Sequence, residues 1–357
     1  MSHALIAAVV AITAASVCAA AMVPLRRAAI GLGLLDMPGE RRVHTTPVPR
    51  LGGLAIFLGF LVALCVSFAL PVTRFEQEIA RIVLLIAAAA ILVGVMFFDD
   101  IFGIPPLPKL GIQVGIALLV IAPRLRGADH GIAIDHFNAP FVGGVTLPLA
   151  IAAPFTVLWI VGMMNSVNWA DGIDGLAGSI GLVACVVLFL HTYFRPKGDP
   201  QFTISLLAIA LAGAIVGFLP FNWHPARIIM GDTGAMFLGF ALATISIIGG
   251  AKIATALLAL GVPILDMAWV IVYRIAHGRS PLLADRGHLH HRLLDAGLTQ
   301  RQVVACFTAL TGVFGALALA LPSREDKLVA IGAMGIVLLA IIALLALFRP
   351  ANRSRAG

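Results

Sequence analysis

The segment Asn165-Ser-Val-Asn168-Trp-Ala-Asp171-Gly-Ile-Asp174-Gly stands at the end of a long apolar run, where a membrane span should meet water. Two amides and two carboxylates are expensive to keep at the edge of a bilayer, which marks them as candidate functional groups. Asn165, Asn168, Asp171 and Asp174 recur every three residues and share a face wherever a helix runs through them. A helix cap needs one such side chain, not four. Two further acidic clusters occupy similar borders, Phe97-Phe-Asp99-Asp100 and Met230-Gly-Asp232-Thr-Gly234. Every donor on offer is an oxygen, and carboxylates gathered at one membrane face suit a hard divalent cation handling phosphates: Mg²⁺, with Mn²⁺ as its substitute.

A basic counterpart follows in Arg286-Gly-His288-Leu-His290-His291-Arg292. Three close histidines invite zinc, but no Cys or acidic residue stands at metal-site spacing and the flanking arginines repel a cation. Imidazole N–H groups beside guanidinium forks suit a diphosphate better. Arg41, Arg42, His44 and Arg50 lie in a Pro- and Gly-rich stretch that suits a lipid phosphate and equally suits a topology-setting loop. Lys109 follows the rigid Pro105-Pro106 turn after the acidic pair, and Arg227 precedes Asp232, each within reach of a phosphate. Asp266 lies inside an apolar run near Pro263 and reads as a supporting group at most.

The elements that must position these groups are membrane helices. Of 357 residues, 61% are hydrophobic and only 11% charged, too few charges to cover a water-soluble surface. The apolar runs are unbroken rather than alternating, so the expected fold is all-α and polytopic, not a barrel. Eleven spans are expected near 4–23, 51–70, 81–98, 108–122, 148–164, 175–193, 202–219, 235–249, 253–273, 302–321 and 328–348. The segment 124–147 should form a small hairpin, and residues 1–357 read as one membrane domain. Cys18, Cys65, Cys185 and Cys306 all sit in apolar runs and read as packing residues.

With the N-terminus outside and the C-terminus cytoplasmic, most of the 24 Lys and Arg fall on the inner side. Every acidic motif and the histidine loop then fall on that side too, although hydropathy alone did not require it. The net charge of +7 reflects this orientation; the basic residues are scattered among membrane loops and form no nucleic-acid surface.

Four ordered motifs resemble those of the polyprenyl-phosphate N-acetylhexosamine-1-phosphate transferases, which include phospho-N-acetylmuramoyl-pentapeptide transferase. They are Phe97-Phe-Asp99-Asp100 with Lys109-Leu, Asn165 to Ala177, Gly231-Asp232-Thr-Gly234, and Asp285-Arg286-Gly-His288-Leu-His290-His291. The resemblance runs from Arg41 to about Gln302. It implies a Mg²⁺-dependent enzyme of the bacterial inner membrane that moves a sugar-1-phosphate from a UDP-sugar to undecaprenyl phosphate and releases UMP. It also implies an acidic pair at Asp99 and Asp100, an Asn-Asp cluster at Asn168, Asp171 and Asp174, a metal aspartate at Asp232, with Asp171 and Asn168 beside it, and a basic loop at His288, His290 and His291. The loop from His44 to Gly53, the Arg-Gly-His-Leu-His-His-Arg sequence and the eleventh span favour the N-acetylglucosamine branch over the muramoyl-pentapeptide branch. Direct attack by the lipid phosphate, with Asp99 taking its proton, is preferred to a phosphosugar-aspartate intermediate. A homodimer is left open.

Two other classes compete. An intramembrane prenyltransferase would carry paired Asp-x-x-x-Asp motifs and would not need the histidine loop. An ion-coupled transporter would place its acids at mid-bilayer and show an internal repeat.

Overall fold

The computed structural model describes residues 1–39, 46–127, 130–139, 143–194, 201–250, 253–280, 287–321 and 323–347. Apolar runs that cannot donate to water must close their backbone hydrogen bonds internally, and they do so as helices. In chain order these are α1 (His3–Gly31), α2 (Gly52–Ala69), α3 (Glu76–Phe102), α4 (Pro106–Ile121), α5 (Leu149–Ala170), α6 (Leu176–Tyr193), α7 (Phe202–Asn222), α8 (Gly231–Ile248), α9 (Ile253–Ala276), α10 (Leu289–Asp295), α11 (Gln300–Ala320) and α12 (Arg324–Leu347). Among the described residues, eleven of these twelve are long and apolar enough to cross a membrane; the short α10 is the exception.

Helix α8 forms the centre. Its residues are buried nearly all round, and it packs against α2, α3 and α5. Small residues permit the close approach, as expected where helices associate in lipid by packing rather than by expelling water. A Cβ on Gly53 of α2 would fall 2.2 Å from the backbone nitrogen of Gly234 in α8. Helix α1 lies in a similar seam on α7, where a Cβ on Gly213 would meet the Ala11 carbonyl at 2.3 Å. Helices α11 and α12 complete the side next to α9.

Two small antiparallel ribbons interrupt the helices. Strands β1 (Leu35–Asp36) and β2 (Val48–Pro49) pair Leu35 with Pro49 and Asp36 with Val48. Strands β3 (His136–Ala139) and β4 (Gly143–Thr146) form the hairpin expected in 124–147. Its strands begin after Ile132 and Ile134, which are buried against the bundle instead.

Several span ends differ from the hydropathy reading, and the differences carry the site. The fifth span was expected to stop near 164; α5 continues to Ala170 and takes Asn165 and Asn168 into its last turns. It stops at Asp171, so Asp174 leaves the helical face that the spacing of three suggested. The cause is the Gly-rich turn, in which Gly175 adopts a left-handed φ of 80° that a residue with a Cβ resists. The third span likewise extends to Phe102 and holds Asp99 and Asp100 in its final turn. Hydropathy falls where polar residues start, but the backbone remains helical as long as its carbonyls find partners.

Candidate active site

The acidic motifs meet at one end of the bundle. The side chain of Lys109, on the first turn of α4, lies between two of them. Its Nζ is 2.6 Å from Asp99 Oδ2 and also pairs with Asp232. Asp99 is buried, with a side chain only 3% exposed, and its other oxygen accepts the Ile104 amide at 2.6 Å. The Pro105-Pro106 turn puts α4 where its lysine can neutralise the end of α3.

Asp100 points to α8 instead. It accepts the backbone amides of Asp232 at 2.9 Å and Thr233 at 3.0 Å, and the Thr233 hydroxyl at 2.6 Å. No side chain of α8's own N-cap residue, Met230, serves that end. A carboxylate from another span therefore caps the helix and complements its positive end. Gly231 is required there, since a Cβ would fall 2.7 Å from Asp100 Oδ2.

Asp171 caps the end of α5. Its carboxyl is pushed well above the usual carboxylate range, first by burial and then by the like charges of Asp232, Asp174 and Asp100, with Arg50 opposing. Arg50 is itself paired with Asp36 across the β1–β2 ribbon. That ribbon joins the site through backbone bonds: Ile229 N donates to Pro49 O, and the Gly52 and Gly53 amides donate to Ile229 O and Met230 O. Asp174 faces the segment before α8. Its Oδ2 lies 2.8 Å from His224 Nδ1 and accepts the Ala226 amide at 3.1 Å.

The histidine loop closes another side. Asp266 of α9 caps α10, accepting the Leu289 amide at 2.8 Å, and lies 3.1 Å from His288 Nδ1. Asp266, read from the sequence as a supporting group at most, holds the start of α10. His290 is 1% exposed and packs on the Gly172 backbone, where a Cβ would fall 2.5 Å from its Nε2. Its ring is nearly parallel to that of His288 and 4.3 Å, centroid to centroid, from that of His291. Trp169 presents an edge-on contact to His288, and the Arg274 guanidinium lies over the Trp169 ring.

Of the residues singled out in the sequence, the structure unites Asp99, Asp100, Lys109 and Asp232 in one network. It brings His290 against the Asp171–Asp174 turn. Asn165 and Asn168 are half-buried on the last turns of α5, and Arg227 is exposed before α8. Arg41, Arg42, His44 and Arg286 lie outside the described residues. The sequence reading missed Gln113, which pairs with Asn165, Thr233, which binds Asp100, and His224, which binds Asp174. Gln113 had a visible signal, a polar side chain four residues after Lys109 in an apolar run.

Among the described residues, no group of three or more His, Cys, Asp or Glu side chains is set to hold a metal ion. Mg²⁺ asks for less, commonly one or two carboxylates with substrate phosphates completing its shell. The clustered negative charge around Asp171 fits such an ion.

The sequence matches the model of Glycosyl transferase family 4 over residues 81–250, which takes in α3 to α8 and all the acidic motifs but not the histidine loop. A Bacillus subtilis (strain 168) protein named as a probable undecaprenyl-phosphate N-acetylglucosaminyl 1-phosphate transferase is 33% identical over 305 residues, covering 84% of this chain and 80% of that one. The decaprenyl-phosphate N-acetylglucosaminephosphotransferase of Mycobacterium tuberculosis is 34% identical over 369 residues, covering 96% and 89%. The undecaprenyl-phosphate alpha-N-acetylglucosaminyl 1-phosphate transferase of Escherichia coli (strain K12) is 28% identical over 308 residues, covering 82% and 78%. With identity at this level across most of its length and the acidic motifs assembled at one end of the helix bundle, the chain belongs to the polyprenyl-phosphate N-acetylhexosamine-1-phosphate transferase family.

Proposed function

We propose that this protein transfers N-acetylglucosamine-1-phosphate from UDP-N-acetylglucosamine to a polyprenyl phosphate at the cytoplasmic face of a bacterial membrane, releasing UMP. The observation that carries the reading is the bridge from Lys109 to both Asp99 and Asp232, beside the turn that His290 contacts. Both substrates are anions, so their approach needs cationic groups and a low-dielectric site more than covalent help.

The residues divide the work by charge. Asp171 and Asp232, with Asn168, would hold Mg²⁺ or Mn²⁺, which supplies charge neutralisation to the diphosphate when bound. Asp100 holds the start of α8 and thereby Asp232. Lys109, anchored by Asp99, offers its remaining N–H to a phosphate oxygen, and Arg50 adds positive potential from the ribbon. His290 and His291 donate to the diphosphate from the α10 side, on a short helix that Asp266 anchors. In the direct route, a lipid phosphate oxygen forms a new bond to the sugar-side phosphorus as the pyrophosphate P–O bond breaks, and the electron pair leaves with UMP. A phosphate monoester near neutral pH is mostly dianionic, its second pKa being about 6. The small remaining proton burden falls to Asp99.

The test uses purified protein in detergent, undecaprenyl phosphate and labelled UDP-N-acetylglucosamine, with UDP-N-acetylmuramoyl-pentapeptide run in parallel. UMP and a lipid-linked product should form with the first donor, and a chelator should stop the reaction until Mg²⁺ is restored. Turnover of the pentapeptide donor alone, or no lipid product from either, would refute the reading.

A further inference from the structure

Asn165 on α5 and Gln113 on α4 face one another through their amides. The Asn165 Nδ2 donates to the Val161 carbonyl at 2.8 Å and to Gln113 Oε1 at 2.6 Å. A backbone carbonyl can only accept, so Val161 settles which end of the Asn165 amide is nitrogen. Both of its N–H groups are therefore spent. The carbonyl Oδ1 keeps capacity, since its one contact among the described residues, Gln113 Nε2, is at 3.4 Å, and that nitrogen is equally far from Met236 Sδ. Gln113 is 1% exposed, while Asn165 is half-buried on the face of α5 that carries Asn168. Helix α4 thus uses Lys109 for the carboxylates and, one turn deeper, Gln113 for the amide.

We propose that Asn165 Oδ1, oriented by Gln113, accepts a hydrogen bond from a hydroxyl or the acetamido N–H of the transferred sugar, and that this pair determines selectivity for the sugar. The hydrogen-bond inventory narrows the ligand to a group that donates. An ionised phosphate has no hydrogen to give to an acceptor, and a polyprenyl tail has none either. The sugar supplies several; the uridine's ribose hydroxyls and N3–H donate too, and UDP carries those without the sugar, so the comparison with UDP separates the two. Gln113 is a positioning residue here, since it reaches the ligand only through Asn165. The inference rests on the function proposed above.

The test measures binding of UDP-N-acetylglucosamine and of UDP, which lacks the sugar, to the full-length protein in detergent with Mg²⁺. Asn165→Leu and Gln113→Met should weaken UDP-N-acetylglucosamine by about tenfold, the loss of one hydrogen bond with its partner left unsatisfied, and leave UDP within about twofold. The KM for undecaprenyl phosphate and the Mg²⁺ concentration for half-maximal activity should not move. Gln113→Glu, which keeps an acceptor for the Asn165 amide, should retain more of the preference than Gln113→Met. Equal weakening of both ligands would make the pair merely structural, a shifted Mg²⁺ requirement alone would make Asn165 a cation ligand, and unchanged binding would remove it from the site; each overturns the proposal. If wild type itself does not bind UDP-N-acetylglucosamine, the function above fails rather than the assignment of this pair.

Discussion

Asp100 and Thr233 are joined twice: the Thr233 amide and hydroxyl both donate to Asp100 Oδ2, at 3.0 and 2.6 Å. The contact ties the last turn of α3 to the first turn of α8. It places Asp232 where Lys109 can reach it together with Asp99. The same device recurs at the histidine loop, where Asp266 of α9 caps α10. In each case a carboxylate on one span positions a polar residue on another helix, and the functional group sits beside the cap, not in it.

Asp100→Ala should accordingly cost about 1–3 kcal/mol of stability, since three donors lose a buried charged acceptor. Thermal unfolding in detergent should show the drop, and transfer activity should fall with it. A variant as stable as wild type but inactive would mean that Asp100 acts on substrate and not on α8.

Asp171→Asn should do the reverse. Its folded-state pKa is raised, so its favourable contribution is full below the unfolded carboxylate value, about 3.9, and is lost as pH rises toward the folded value. In metal-free protein, ionising this carboxyl therefore works against the fold as pH rises. The Asn variant should melt higher than wild type by a margin that grows as pH rises from about 4, yet transfer no sugar phosphate. Mg²⁺ should raise the melting temperature of wild type more than that of the variant.

Lys109→Met leaves Asp99 buried without its cation, at a cost of about 3–5 kcal/mol. Asp99→Asn combined with Lys109→Met should recover much of the stability and none of the activity. A double-mutant cycle on thermal unfolding measures the coupling; additive losses would show that the pair does not act as a unit.

Asp266→Asn keeps one acceptor oxygen but removes the charge that holds the Leu289 amide and His288. The KM for the UDP-sugar should rise several-fold, with the KM for undecaprenyl phosphate little changed, because α10 carries His290 to the Gly172 turn. Steady-state kinetics with each substrate varied separately would reveal the split.

How far the sequence could be read depended on whether a property was local. The eleven spans follow from hydrophobic run lengths, and the polar clusters at their borders follow from the cost of such groups in lipid. Span ends were less legible: α5 runs past Met164 because Asn165 and Asn168 fit a helix whose outer face still packs, and the helix stops only where Gly172 and Gly175 allow the chain to turn. Short elements such as the β1–β2 ribbon and α10 leave almost no periodic signal, being two residues per strand and seven in the helix.

The sequence by itself determined a polytopic helical membrane protein, the residue types available for chemistry and their grouping by motif, because each follows from neighbours along the chain. Only the tertiary structure decided the partners of those residues. Asp100 meets Asp232 across 132 positions, Lys109 divides between Asp99 and Asp232, Asp174 turns to His224, and Asn165 gives its amide to Gln113. The adjacent acids Asp99 and Asp100 read as one pair in sequence, but successive positions on a helix point about 100° apart. One faces a lysine and the other a helix end, and that division follows from how α3, α4 and α8 pack.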